Sequence, residues 1–376
     1  MLISSCINYL LKKIMAIDKP VHPVKKKYLE DVAILRLLLI FLLIWNHAFA
    51  PYVGHWEPLS IQSNIVGYKW LVLIVYHMRI QALIFISGYL LGYTSLRKPD
   101  ALLFKNCVIK KIKRLLLPCV IFSALYYVIF YDINHPIGTV AYSIVNGAGH
   151  MWFLPMLFWC FTGVYIVERF KIKPIYIFCV AVIVAIIPSP TLPLRLNNSL
   201  TYFIFFYTGF GLQRGYFKFL APSSHNSLAT IVLCVIIYFA SFAIHYIVID
   251  GRYDVMIFHI VGMSDSVLTK ILVISTGNIL PFVMSMSGLL GAFWSTHYFI
   301  VGKYSLPTWM ISLSTYCYGI YICQQFILKY LYYHTSLPEM TGPYLLPWIA
   351  LIITLVSSII ITGLMLKSRI GRFLIG

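Results

Sequence analysis

Arg36 and His47 are the residues of the first long apolar segment, 32–50, whose side chains could take part in chemistry. They are eleven positions apart, about 1100° of helical rotation, so both would lie on one helix face about 16 Å apart along its axis. A charged or titratable side chain is costly in hydrocarbon and usually faces a cavity or a partner. We therefore predict that this helix face is functional, since a guanidinium can hold an anion and an imidazole can accept a proton. The alternative is that Arg36 reaches the lipid headgroups and His47 caps the far end of the helix.

The composition places this segment in a membrane protein. Of the 376 residues, 60% are hydrophobic and 11% are charged, and the mean hydropathy is +0.86, values that exclude an ordinary soluble domain. Stretches long enough to cross about 30 Å of hydrocarbon predict an all-α polytopic bundle of about ten transmembrane helices. We divide the chain into a basic cytoplasmic segment, residues 1–30, and a transmembrane domain, residues 31–376. The predicted spans are 32–50, 69–94, 115–131, 150–168, 173–189, 197–213, 228–249, 268–293, 306–330 and 346–366.

The net charge of +18 is unevenly distributed along the chain. Most lysines and arginines fall in the N-terminal segment and in alternate short loops, whereas the loop between the seventh and eighth spans carries Asp250, Asp254 and Asp265. This is the positive-inside pattern of a membrane protein, and it predicts that both termini are cytoplasmic. A nucleic-acid partner is therefore not needed to explain the positive charge.

The eight cysteines fall in predicted spans or on the inner side, without a C-x-x-C pair. We therefore expect neither a disulfide framework nor a metal site. Near the N-terminus, Lys12 and Lys13 follow a short apolar run where a signal peptide would carry its cleavage site, which argues against such a signal. The chain could start at Met1 or at Met15.

The second predicted span contains Arg79 and, two turns later, the pair Ser87-Gly88. A guanidinium inside a membrane needs a partner, so Arg79 is predicted to bind a substrate or a buried polar group. Gly88 would let either a ligand or a neighbouring helix approach the backbone closely, because small residues commonly line helix contacts. Both interpretations of the Ser-Gly pair stay open from the sequence.

Two further clusters carry polar atoms near the ends of spans. Lys111 and Arg114 are three positions apart before the third span and would share a helix face; they suit either a phosphate clamp or a contact with anionic lipid. His150 and Trp152 open the fourth span on the outer side, where they could contact substrate or belong to an aromatic interface belt. The hydroxyls of Ser312 to Tyr321 in the ninth span are predicted to bond to helix carbonyls.

Together these segments resemble the acyltransferase-3 family of integral membrane acyltransferases, which modify cell-surface polysaccharides, lipopolysaccharide, secreted glycans and some lipids or antibiotics. The chain departs from the family pattern at two positions: members often have Pro where Gln81 stands, and often a His where Gln324 stands. The points of resemblance are Arg36 with His47, the segment Arg79 to Tyr89, Lys111 and Arg114 before Pro118, Trp152 to Leu154, and Ser314 to Tyr321.

The resemblance implies about ten core spans in the cytoplasmic (inner) membrane, with acyl-CoA as a cytosolic donor substrate. We therefore expect an O-acyltransferase that moves an acyl group, acetyl in the first instance, to a hydroxyl of a cell-surface or secreted glycan or glycolipid. His47 would be the general base and would form the catalytic pair with Arg36. No permanently bound cofactor is expected, and proteins of glycan synthesis are expected as partners beside the bilayer. The residues expected to bind donor or acceptor are Arg79, Ser87, Gly88, Lys111, Arg114, His150 and Trp152.

Two other functions remain open from the sequence. The same scaffold could use a succinyl donor, because nothing in the sequence measures the acyl pocket. A glycan or lipid exporter could also carry buried cations, although exporters would be expected to show discontinuous helices in matched halves.

Overall fold

The computed structural model describes residues 29–59, 61, 65–131, 135–220, 227–248, 266–300 and 303–376. In these ranges the chain forms helices joined by short turns and contains no strand, so the all-α prediction is confirmed. Residues 1–28 of the predicted N-terminal basic segment and the acidic loop around Asp254 lie outside the described residues. The helices are α1 (Glu30–Ala48), α2 (Val66–Arg97), α3 (Leu117–Phe130), α4 (Ile137–Asn146), α5 (Phe153–Arg169), α6 (Pro174–Ile186), α7 (Leu196–Arg214), α8 (Ser227–Ala243), α9 (Val267–Ile300), α10 (Thr308–Thr315), α11 (Cys317–Tyr333), α12 (Leu337–Lys367) and α13 (Arg369–Ile375).

Within the described ranges, seven helical segments are long and apolar enough to cross a membrane. This supports the predicted polytopic membrane bundle, whereas the count of ten spans and the side of the termini stay predictions. The other three predicted stretches are also helical, but α6 has only 13 residues, α7 contains the polar pair Asn197-Asn198, and the ninth stretch is broken at Tyr316 between α10 and α11. The seven segments are Glu30–Ala48, Val66–Arg97, Lys105–Phe130, Gly149–Arg169, Ser227–Ile247, Val267–Ile300 and Leu337–Lys367.

Helix α1 is continuous from Glu30 to Ala48, so Arg36 and His47 do lie on one uninterrupted helix. Near its N-terminal end lies Asp31, whose Oδ2 is 2.8 Å from Nδ1 of His297 on α9. Its C-terminal end is followed by a 3₁₀ turn, Ala50–Val53, and then by Gly54 with φ of 72°. That left-handed conformation suits glycine, which has no Cβ to clash. The reversal brings the following residues back over the end of α1.

Helices α2 and α7 pack closely where each carries a glycine. A Cβ placed on Gly88 would collide with the backbone carbonyl of Phe206, and one on Gly209 would collide with that of Phe85. Small residues allow such a crossing because the two backbones themselves come into contact. Gly88 therefore serves a helix contact, the second of the two interpretations that the sequence left open. This crossing holds the α2 segment that carries Arg79.

Candidate active site around His47

The imidazole of His47 meets helix α11 through a single hydrogen bond. Its Nδ1 lies 2.9 Å from Oε1 of Gln324, a residue that is fully buried. Because an amide oxygen only accepts, Nδ1 carries the proton and Nε2 keeps its lone pair. The indole of Trp56 stacks on the imidazole, with ring centroids 6.0 Å apart and an interplanar angle of 28°. The ring is thus held in an orientation in which Nε2 can accept a proton from a hydroxyl.

The role of Gln324 was not predicted from the sequence, where it stood out only as a departure from the family pattern. A usable signal was present, because an amide within a long apolar helix needs a hydrogen-bond partner. Its Nε2 is buried without a partner among the described residues. Of the two amide atoms, only Oε1 is engaged, and it is engaged with His47.

Three residues of α11 form hydrogen bonds with His150. Its Nε2 lies 3.0 Å from the carbonyl oxygen of Ile322, its backbone N–H donates to Oε1 of Gln325 at 2.8 Å, and its carbonyl accepts from the hydroxyl of Tyr321. Because the carbonyl oxygen of Ile322 can only accept a hydrogen bond, Nε2 of His150 carries the proton. Nδ1 is buried without a partner among the residues described. His150 is therefore a buried residue locked to α11 and lies within electrostatic range of His47.

Arg79 is buried next to α1, and its partners are neutral. Its Nη2 donates to Oδ1 of Asn46 at 2.6 Å and its Nη1 donates to the carbonyl of Tyr76 at 2.9 Å. Nε is buried without a partner, and no carboxylate pairs with the guanidinium in the described part of the chain. Asn46 precedes His47, and Arg79 lies within electrostatic range of the imidazole. A buried positive charge without a counterion is suited to a negative charge that develops during a reaction.

Two of the predicted donor-binding cations, Arg36 and Arg114, lie near the first turn of α11, whereas Lys111 packs against α5. Arg36 lies within electrostatic range of the Cys317 thiol and makes no hydrogen bond or ion pair with a described residue. The hydroxyl of Tyr318 donates to the backbone carbonyl of Arg114 at 3.0 Å. Lys111 is half-buried, with Nζ 3.8 Å from the centroid of the Phe161 ring.

The basic segment that carries Lys111 and Arg114 is wound differently from the predicted α-helix. Residues Lys105–Ile109 and Ile112–Leu116 are π-helical. Because a π turn holds more residues than an α turn, side chains three positions apart point in more divergent directions. Arg114 is exposed while Lys111 packs against α5. This winding could not be predicted from the sequence, because residue types alone do not distinguish π from α turns.

The remaining predicted site residues make local contacts. The hydroxyl of Ser87 donates to the carbonyl of Leu83 one turn earlier, at 3.0 Å. The ring of Trp152 lies 6.0 Å from that of Tyr202 on α7. The Ser87 hydroxyl therefore bonds within its own helix, and the Trp152 ring packs against α7.

The turn after α1 packs against α12 at the C-terminal end of α1. The hydroxyl of Tyr52 donates to the carbonyl of Pro343 at 2.6 Å, and burial raises its pKa. The His55 side chain is exposed, but the surrounding protein partly desolvates it and so lowers its pKa, and the charge of Arg79 acts in the same direction. The surroundings of this turn thus favour the neutral forms of both side chains. In the described residues no group of three or more His, Cys, Asp or Glu side chains is placed to hold a metal ion.

The model of one family, described as an acyltransferase domain, matches residues 29–367. No curated protein and no solved structure matches the chain. The matched range contains every helix that builds the site around His47, from α1 to α12. The chain therefore belongs to the acyltransferase-3 family of membrane-embedded acyltransferases.

Proposed function

We propose that the protein transfers an acyl group, acetyl in the first instance, from cytosolic acyl-CoA to a hydroxyl of a cell-surface or secreted glycan. The observation that carries this proposal is the hydrogen bond from His47 Nδ1 to Gln324 Oε1 at 2.9 Å. It leaves Nε2 of a neutral imidazole as the proton acceptor that an O-acylation requires.

In this reaction Nε2 of His47 takes the proton of the acceptor hydroxyl. The hydroxyl oxygen then attacks the carbonyl carbon of the thioester. The tetrahedral intermediate then expels the CoA thiolate, which receives the proton from the imidazolium. A positioned base of this kind contributes about 10²–10⁴-fold to the rate. Arg79 adds a fixed positive charge near the imidazole, where negative charge develops on the carbonyl oxygen.

The donor enters from the cytoplasmic side in this proposal. Arg36, Lys111 and Arg114 bind its phosphates or its pantetheine arm, and Arg36 lies about 16 Å from His47 along α1. An extended pantetheine arm is of comparable length, so the charged end of the donor stays inside while its thioester reaches the base. This route requires the protein to lie in the cytoplasmic (inner) membrane with both termini inside, as the positive-inside pattern predicts.

The test replaces His47 by Ala and, as a matched control, the exposed His135 by Ala. Membranes with each variant receive acetyl-CoA, and mass spectrometry measures the acyl content of surface glycans. We expect His47→Ala to abolish transfer with unchanged protein abundance, and His135→Ala to retain it. Unchanged acylation in His47→Ala would refute the proposed base.

The same mass spectra separate the alternatives. An increment that corresponds to succinyl in place of acetyl would assign a different donor to the same scaffold. Loss of the whole polymer from cells that lack the protein would point to export instead.

A further inference from the structure

Lys329 lies near the outer end of α11 inside a group of aromatic side chains. Its ammonium makes no hydrogen bond and no ion pair with the residues that the structure describes. The acid Glu57 lies within electrostatic range of Lys329, and its backbone carbonyl accepts from the hydroxyl of Tyr333 at 2.8 Å. The distances from Nζ to the five ring centroids are 5.8 Å for Trp56, 5.7 Å for Tyr126, 5.9 Å for Phe130, 5.8 Å for Tyr131 and 5.9 Å for Tyr333.

Trp56 connects this group to the candidate active site. Its ring is 6.0 Å from the imidazole of His47 and 5.8 Å from Nζ of Lys329. The ammonium and the imidazole are therefore separated by no more than these two distances combined, which is the scale of two adjoining sugar units. The rings come from the turn after α1 and from the ends of α3 and α11, three segments that meet at one end of the bundle.

The chemistry of the group fits a sugar better than a lipid headgroup. A pyranose has an apolar C–H face that stacks on aromatic rings, and its oxygens accept from an ammonium that has three free donors. The carboxylate of Glu57 can accept from the sugar hydroxyls, whereas it would repel the phosphate of a lipid. Aromatic surface with a few convergent polar groups is also the usual make-up of a small-ligand site.

We propose that Lys329, Trp56, Tyr131 and Tyr333 form a subsite for one pyranose unit of the acceptor, adjacent to the unit whose hydroxyl His47 deprotonates. This inference rests on the proposed acyl transfer and adds the place and the chemical class of its acceptor. Lys329 donates hydrogen bonds to the sugar oxygens, and Trp56 forms the wall shared by the subsite and the base.

The experiment compares Lys329→Met with Lys303→Met, because Lys303 also rests on an aromatic ring, 3.9 Å from that of Tyr298, at a distant part of the chain. Each variant is placed in phosphatidylcholine nanodiscs. The acceptor probe is surface polysaccharide from the producing cells, de-O-acylated with mild alkali, and the donor is acetyl-CoA. We expect Lys329→Met to raise the KM for polysaccharide about tenfold, with the KM for acetyl-CoA unchanged. Lys303→Met should leave both constants unchanged.

Tyr131→Leu provides a second variant, because Tyr131 is 43% exposed and its replacement spares the core. It should also raise the KM for polysaccharide alone. Unchanged polysaccharide KM in both Lys329→Met and Tyr131→Leu would overturn the subsite while leaving the acyl transfer itself intact. Absence of transfer by the wild-type protein would instead refute the proposed function, and the subsite with it. If phosphatidylglycerol nanodiscs changed the activity of the wild-type protein but not of Lys329→Met, with equal polysaccharide KM values, Lys329 would be a lipid contact and the subsite would be refuted.

Discussion

His47 and Gln324 are joined by a 2.9 Å hydrogen bond across 277 positions of the chain. The partner that orients the imidazole is an uncharged amide, whereas in hydrolase triads a carboxylate occupies this place and stabilises the imidazolium. The guanidinium of Arg79 is bound to Oδ1 of Asn46, the residue before His47, so a fixed positive charge also lies beside this helix turn. The hydrogen bond to Gln324 places the proton on Nδ1 and leaves Nε2 as the nitrogen that can accept a proton.

This relationship predicts different outcomes for two replacements of Gln324. Gln324→Met removes the acceptor and frees the ring, so kcat should fall about 10²-fold. Gln324→Glu keeps an acceptor and adds a charge that stabilises the imidazolium, so the acid limb of the pH–rate profile should move to higher pH. The measurement is initial acyl transfer from acetyl-CoA between pH 5 and 9, a range suited to histidine titration. Full activity of Gln324→Met at every pH would contradict the positioning role.

Arg79 is predicted to act through its unpaired charge. Asn46→Asp places a carboxylate against the guanidinium, where Oδ1 of Asn46 now accepts at 2.6 Å. The new ion pair cancels the charge without removing the side chain, so kcat should fall about 10²-fold while thermal stability is kept. Asn46→Ser, which adds no charge, is the control and should lower kcat less. Equal kcat for Asn46→Asp and wild type would show that the charge of Arg79 is not used.

The inner cations are predicted to bind the acyl-CoA donor. Removing Lys111 and Arg114 together by Ala should raise the acetyl-CoA concentration for half-maximal rate about tenfold at low salt. The effect should shrink as salt is added, because Arg114 is exposed and its field is screened. Arg36→Lys should also weaken donor use, since an ammonium cannot reproduce a planar guanidinium fork. A changed KM for the glycan with an unchanged KM for acetyl-CoA would assign these cations to the acceptor instead.

The glycine crossing of α2 and α7 is predicted to be essential for stability. Gly88→Val forces a side chain into the backbone of Phe206 and should lower the free energy of unfolding by about 1–3 kcal/mol. Gly67→Ala, on the same helix, meets nothing within 4 Å and should be neutral or stabilising. Thermal unfolding of both variants in detergent measures the difference. Equal stability of Gly88→Val and wild type would mean that the helices do not cross at this point.

The proposed donor route predicts the sides of two exposed loops. In a cysteine-free background, Lys98→Cys after α2 should react with an impermeant maleimide only from the cytoplasm. His55→Cys, in the turn after α1, should react only from outside. Both positions are exposed, so accessibility does not limit the labelling. Labelling of both cysteines from the same face would exclude a donor and an acceptor that enter from opposite sides.

Hydrophobic length and local periodicity determined much of the architecture before any tertiary contact. Runs of apolar residues long enough to cross a bilayer predict helices, because an unpaired backbone is too costly in hydrocarbon. The helical period then places Arg36 and His47 on one face, and α1 is continuous between them. The motifs in order along the chain indicated the family, which the match over residues 29–367 confirms.

The tertiary structure alone decided what each polar side chain meets. Gln324 reaches His47 from a helix 277 positions away, the partners of Arg79 are a neutral amide and a carbonyl, and Gly88 faces a helix instead of a ligand. The physical reason is that the hydrophobic pattern specifies which residues enter the membrane and the period of each helix. Which helix faces touch depends on close packing and on pairing every buried polar atom, and these are properties of the assembled bundle.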